Sequence, residues 1–369
     1  MNNKNVLFIL HRLYYEGKTK EGGIDFFIRF FREKKYNVYI IEHTLEDFKY
    51  PSKYIVNGKV VKKYYDNSKP PLRWGKEFLL NKKILKKYKV KFDYAYASDA
   101  LNFLSVYWAK RNRIAKNIKF HCTDFSKHRF KNPLLNTIYL NIFKFSLNHA
   151  DEINVVTPYV GKMAKKIAPK ANIKFIPNSP IYRTFPKINP EKKDKHLLVI
   201  TISQMSKRSN FDNYLEIIKL VKKEIPDIKL KIIGSCDSYV KKSIKDNDMR
   251  KNIIFTGLLP YEEAIKELAS GYIGIVFYPK DIDHVKYGDS IKLREYAATG
   301  LASVSDNITF TSREMIDHGA GMTGNSPQEI AKHIVYLVKN DNQYIKMHKK
   351  ALLWAQKMDK EKILENLIS

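Results

Sequence analysis

Short apolar runs alternate with longer amphipathic stretches along this chain, and the alternation predicts its class. Residues 6–10, 38–41, 92–96, 118–122, 153–156 and 173–176 have the length and β-branched content of buried parallel strands. Between them, residues 24–31, the stretch through Phe103 and Trp108, and residues 134–147 read as helices. The rhythm pauses at Pro177, Pro180, Pro186 and Pro190, which precede a charged run, Glu191 to Lys195; this is the expected linker. A second alternation follows, with strands at 197–200, 228–233, 253–255, 273–277 and 302–304. The expectation is an α/β chain of two Rossmann-like domains, 1–185 and 186–345, facing a central cleft. A helical segment, 346–369, could stay with the second domain or cross back to the first. In doubly wound sheets ligands bind beyond the carboxyl ends of the strands, so chemistry is sought in the loops that follow them.

Composition adds a polarity to this picture. The chain has 369 residues and a formal charge of +29. Residues 1–185 carry 37 Lys and Arg against 14 Asp and Glu, so 23 of the 29 excess charges fall in the first domain. A basic domain beside a nearly balanced one points to an anionic partner for the first: a phospholipid surface, a polyprenyl-phosphate acceptor or nucleic acid. No nucleic-acid recognition motif is present, which argues against the last. Two cysteines, Cys122 and Cys236, make neither a disulfide framework nor a metal site. The apolar run at 6–10 is too short for a secretory signal, and no stretch approaches the ~20 apolar residues that span a bilayer. The expected location is cytoplasmic, peripheral on the inner face of the cell membrane.

The stretch from Asp289 to Gly300 carries the most chemistry. Ser290 suits a helix N-cap, and Lys292 and Glu295 then share one face. A helix N-terminus joined to a lysine suits a diphosphate, a glutamate one turn on suits ribose hydroxyls, and Gly300 suits the turn into the next strand. Lys207 and Arg208, after the strand at 197–200, form a second candidate phosphate clamp.

In their order, these stretches resemble the nucleotide-sugar glycosyltransferases of the GT-B fold, including the group 1 relatives and the xanthan glucuronosyltransferase. Their Lys-Leu-x-Glu-Tyr-x-Ala-x-Gly pattern is matched by Lys292, Leu293, Glu295, Tyr296, Ala298 and Gly300. Phe255-Thr256-Gly257, Ile176-Pro177-Asn178 and the passage from Ala150 to Thr157 resemble further family landmarks. The resemblance implies donor contacts from Ser290, Ile291, Lys292, Glu295, Tyr278, Met205, Lys207, Arg208 and Gly257. It implies acceptor contacts from Gly22, Gly23 and His121, and Asp124 as the base that takes the acceptor proton. Retaining relatives carry a second glutamate eight positions before the ribose-binding one. Here that position is Tyr287, which tilts the expectation toward inversion.

No cofactor is implied beyond a UDP- or GDP-linked sugar. Asp281, Asp283 and His284 approach a metal set without a clear partner group, so no metal is expected. The basic segment from Trp74 to Lys91 reads as an interfacial helix with Trp74, Phe78, Leu85 and Tyr88 as its apolar stripe. The expected activity is sugar transfer to a glycan or lipid-linked acceptor in cell-envelope polysaccharide or glycoconjugate synthesis. A retaining glycosyltransferase and a sugar-nucleotide epimerase of the same fold are the alternatives.

Overall fold

A computed structural model describes residues 4–12, 14–15, 18–19, 23–44, 50–123, 125–279, 285 and 287–368. The chain divides into two compact units, Met1–Pro177 and Asn178–Ser369.

The first unit contains β1 (Asn5–Arg12), β2 (Tyr14–Tyr15), β3 (Lys18–Thr19), α1 (Gly23–Glu33), β4 (Asn37–Thr44), β5 (Ser52–Val56) and β6 (Lys59–Tyr64). It continues through α2 (Leu72–Tyr88), β7 (Phe92–Ala97), α3 (Ala100–Arg111), β8 (Ala115–Cys122), α4 (Pro133–His149), β9 (Glu152–Val155), α5 (Pro158–Ile167) and β10 (Ile173–Phe175). Its main sheet has the order β10-β9-β8-β7-β1-β4-β5-β6. The strands from β10 to β4 are parallel, and β1 is buried on both faces, which is why it reads as an unbroken apolar run. The order reverses between β1 and β7.

The antiparallel pair β5–β6 at the sheet edge was not expected from the sequence. Its lysines and exposed valines alternate too weakly to announce a strand, and pairing to β4 supplies what the pattern lacks. The stripe expected on α2 also turns inward. Leu85 is buried, Trp74, Phe78 and Tyr88 are half-buried, and Tyr88 packs on Tyr54 at a ring separation of 4.4 Å.

The second unit contains β11 (Leu197–Met205), α6 (Phe211–Glu224), β12 (Lys229–Cys236), α7 (Ser238–Asp246), β13 (Ile253–Phe255), α8 (Tyr261–Ala269) and β14 (Ile273–Val276). Then follow α9 (Ile291–Ala298), β15 (Ala302–Ser305), α10 (Phe310–Asp317), β16 (Gly321–Thr323), α11 (Pro327–Lys339), α12 (Asp341–Lys357) and α13 (Lys360–Ile368). All six strands are parallel in the order β13-β12-β11-β14-β15-β16, the 3-2-1-4-5-6 arrangement of a Rossmann sheet. Its reversal lies between β11 and β14.

The stretch after Pro177 is fastened to the second unit. Asn178 N donates to Asp289 at 2.5 Å, Tyr182 N donates to Asp359 at 3.1 Å, and Arg183 pairs with Glu361. α12 packs into the same core through Tyr344, stacked on Tyr272, and through buried Trp354.

A bulge shapes the end of β11. Thr201 pairs with Ile233 and Gln204 with Ser235, so Ile202 and Ser203 together oppose Gly234. A β-carbon on Gly234 would lie 1.7 Å from the Ile202 carbonyl oxygen, at a φ of +150°. Bulges re-aim the strand that carries them, and this one sits four residues before Ser206. Gly234→Ala is therefore expected to destabilise the second unit by about 3 kcal/mol, read by thermal or urea unfolding.

Candidate functional site

The reversal point of the second sheet holds a cavity of about 310 Å³. Ser206, Arg208 and Ser209 reach it from the loop after β11, Phe277, Tyr278 and Pro279 from the loop after β14, and Lys292 from α9. Each wall has a local cause. Ser206 and Ser209 cap one another around a single 3₁₀ turn, Lys207–Ser209, with Ser206 N donating to Ser209 Oγ at 2.7 Å. Asn210 then takes a left-handed conformation (φ 73°), and its side chain donates to the Phe277 carbonyl at 3.1 Å, tying one loop to the other. The turn sends the two cations apart. Arg208 lines the cavity, whereas the Lys207 ammonium lies 5.3 Å from the Tyr239 ring centroid, over α7.

Ser290 caps α9 by accepting from Leu293 N at 3.4 Å, and its hydroxyl meets the Tyr278 hydroxyl at 2.8 Å. The Lys292 ammonium sits 5.3 Å from the Tyr278 ring centroid. Ile291, beside it in the first turn, is half-buried. Glu295 is buried and accepts the Tyr261 hydroxyl at 2.9 Å. Gly257, at φ +76° in the loop before α8, has open space where a side chain would point. Met205, an expected donor contact, is fully buried in the core and does not line the cavity; its sulfur lies 3.5 Å from Ser209 Oγ. Asp306, at the end of β15, accepts from the backbone N–H groups of Tyr278 and Ile308. Burial raises its pKa, and Lys292 works against that rise.

Beneath the α9 N-terminus lies a network the sequence did not announce. Asp289 takes Arg294 Nε at 2.9 and 3.0 Å and the Thr311 hydroxyl at 2.5 Å; Arg294 also donates to Glu314 at 2.8 Å and lies 5.5 Å from the Trp354 ring. Ser290 N donates to Thr311 at 2.7 Å. Burial and mutual charge lock the direction of α9 and so the place of Lys292. Asp289, Arg294 and Tyr261 are ordinary letters in the sequence; only their partners, up to 111 positions away, give them this role.

In the first unit, the carboxyl ends of β1, β4 and β7 gather another polar cluster. His11 contacts Asp99 at 2.8 Å and Glu77 at 3.0 Å, and Glu77 also takes Arg73 at 2.8 Å. His43 contacts Ser52 at 2.9 Å and Asn81 at 3.0 Å. Burial alone would depress the His11 imidazole, but Asp99 and Glu77 outweigh it and lift the pKa to about 10; burial holds His43 down at about 4. A raised pKa stabilises fully below the unfolded-state value of about 6.5 and stops doing so as pH rises through the folded value. The expected result is that wild-type protein loses stability toward about pH 10 more steeply than a His11→Gln variant, read by thermal melts across that range.

Of the expected acceptor residues, His121 is fully buried, with its ring edge-on to Phe27 at 4.9 Å, and Gly23 opens α1. Gly22, Asp124, Asp281, Asp283 and His284 lie outside the described residues.

Two doubly wound units in one chain, the second with a basic cavity at its reversal point, are the architecture of the GT-B fold. Residues 183–354, which lie in the second unit, match the family described as Glycosyl transferases group 1. Poly(glycerol-phosphate) alpha-glucosyltransferase of Bacillus subtilis (strain 168) is 23% identical over 182 residues, which are 48% of this chain and 25% of that protein. Sucrose-phosphate synthase from Thermosynechococcus elongatus superposes with a TM-score of 0.72 at 11% identity, over 99% of this chain and 98% of that one. The Anabaena protein HepE, solved in complex with UDP, gives 0.67 at 14% identity, over 99% and 98%. At these identities the solved structures establish the fold. Among the described residues, no helix is long and apolar enough to cross a membrane.

Proposed function

We propose that this chain transfers a hexosyl group from a UDP-linked donor to a glycan or lipid-linked acceptor in the synthesis of a cell-envelope polysaccharide or glycoconjugate. One observation carries the reading: Arg208, Lys292 and the α9 N-terminus converge on the cavity at the β11/β14 reversal. A leaving diphosphate gains charge as the glycosidic bond breaks, and a preorganised dipole with two cations stabilises it without a metal ion. Glu295, oriented by Tyr261, suits the ribose hydroxyls one turn deeper. The base is proposed as uracil because HepE and the Staphylococcus aureus protein TarM were solved with UDP. The acceptor is assigned to the first unit and its membrane setting to that unit's positive charge.

Asp124 is proposed as the base that deprotonates an acceptor hydroxyl in an inverting transfer, since Tyr287 stands where a retaining enzyme would have its second glutamate. A retaining transfer is the second reading, favoured by the alpha-glucosyltransferase name of the Bacillus relative, because an alpha product from an alpha-linked donor keeps its configuration. Thermal-shift titration with UDP and GDP is expected to show stabilisation by UDP; at ~100 times the dissociation constant this amounts to about 2.7 kcal/mol. Asp124→Asn is expected to keep UDP binding and to lower turnover by about 1,000-fold. Full turnover in that variant, or a product NMR spectrum showing retained configuration, removes the inverting assignment.

A further inference from the structure

We infer that the outer faces of α2 and α4 form the surface by which the first unit docks on an anionic lipid bilayer; this rests on the membrane-acceptor reading above and gives it a location. Besides Gly75, the exposed positions of α2 are Leu72, Lys76, Leu79 and Lys83, then Lys86 and Lys87, spaced three or four residues apart along a single stripe. Those of α4 are Pro133, Leu134, Thr137, Ile138, Asn141, Lys144, Asn148 and His149. Leu72, Leu79 and Leu134 are each more than 60% exposed and Ile138 is 46% exposed, so four large aliphatic side chains stand in solvent. Trp74 and Phe130 join the starts of the two helices at a ring separation of 5.1 Å, and Phe130 packs edge-on to Tyr139 of α4 at 5.5 Å. The segment between β8 and α4 adds exposed Lys127 and Lys131.

Both helices follow strands that end at the carboxyl edge of the sheet, so Leu72 and Leu134 stand at the edge where ligands of such sheets bind, with Lys76 and Lys131 beside them. Residues 125–149 contain no Asp or Glu, and the one acid of α2, Glu77, is buried against Arg73; Asp66, ahead of α2, pairs with Lys76 at 3.4 Å.

The chemistry selects the occupant. Aliphatic side chains ringed by lysines match acyl chains beneath anionic headgroups. A second copy meeting this face symmetrically would set lysine against lysine. Single-stranded nucleic acid binds through stacked aromatics, and the exposed apolar residues here are Leu and Ile.

Co-sedimentation of the full chain tests this, with vesicles of phosphatidylcholine alone and of equal parts phosphatidylcholine and phosphatidylglycerol. The wild type is expected to partition onto the mixed vesicles and to be released by salt. Leu72→Ser with Leu79→Ser, and Leu134→Ser with Ile138→Ser, are each expected to weaken partition about tenfold. Lys76→Gln with Lys83→Gln and Lys131→Gln is expected to weaken it on the order of 100-fold. Val60→Ser with Val61→Ser, on exposed β6, should change nothing. UDP stabilisation, measured on the same samples, should be the same in every variant. Unchanged partition across the α2 and α4 variants, equal binding to neutral vesicles, or a dimer that dissociates in the leucine variants while vesicle binding persists would each overturn the inference. Loss of the UDP response in the wild type would instead count against the donor site.

Discussion

Lys292→Ala is expected to lower kcat/KM for the sugar donor by about 100-fold, or ~2.7 kcal/mol of transition-state stabilisation. The lysine faces the cavity at the β11/β14 reversal, and on the proposed function its charge would meet a phosphate that becomes more negative as the bond breaks. The loss should therefore appear in kcat as well as in KM. Arg208→Ala should follow the same pattern more weakly, because its longer side chain comes from an exposed turn. Glu295→Ala should act mainly on KM, through ribose binding. Lys207→Ala is the internal control: its ammonium lies over Tyr239, so kinetics should be within about twofold of wild type. Steady-state kinetics with UDP calorimetry reads all four. Equal losses for Lys207→Ala and Arg208→Ala would show that net charge, not position, drives donor binding.

Asp289→Ala is expected to cost the second unit about 3–5 kcal/mol. It removes the carboxylate that holds Arg294, Thr311 and Asn178 together and leaves a guanidinium 2% exposed with only Glu314 as its acid partner. For a unit of this size that is a fall of about 10 °C in Tm. Part of the donor response should go with it, since α9 loses the anchor just before its N-cap. An unchanged melting temperature would mean that the network is not what fixes the helix.

The strand and helix periods were legible because burial imposes them. A strand covered on both faces must be continuously apolar, as β1 and β14 are, and Ser290, Lys292 and Glu295 keep the spacing their helix requires. The α2 stripe misled for a related reason. Trp74, Phe78, Leu85 and Tyr88 share a face at helical spacing, but spacing cannot say whether that face meets solvent or protein, and here it turns toward Tyr54 and Phe130.

By itself, then, the sequence determined the alternating α/β class, the position of the helix that carries Lys292 and Glu295 behind its Ser290 cap, and the concentration of positive charge in the first unit. Only the tertiary structure decided the rest: that Arg208 and not Lys207 faces the cavity, that Asp289 and Arg294 brace it, that His11 is held between two acids, and that Leu72, Leu79, Leu134 and Ile138 remain uncovered. Periodicity is a local property, fixed by which side of an element is buried. Direction, pairing and exposure depend on residues dozens of positions away, brought close only when the sheets and helices pack.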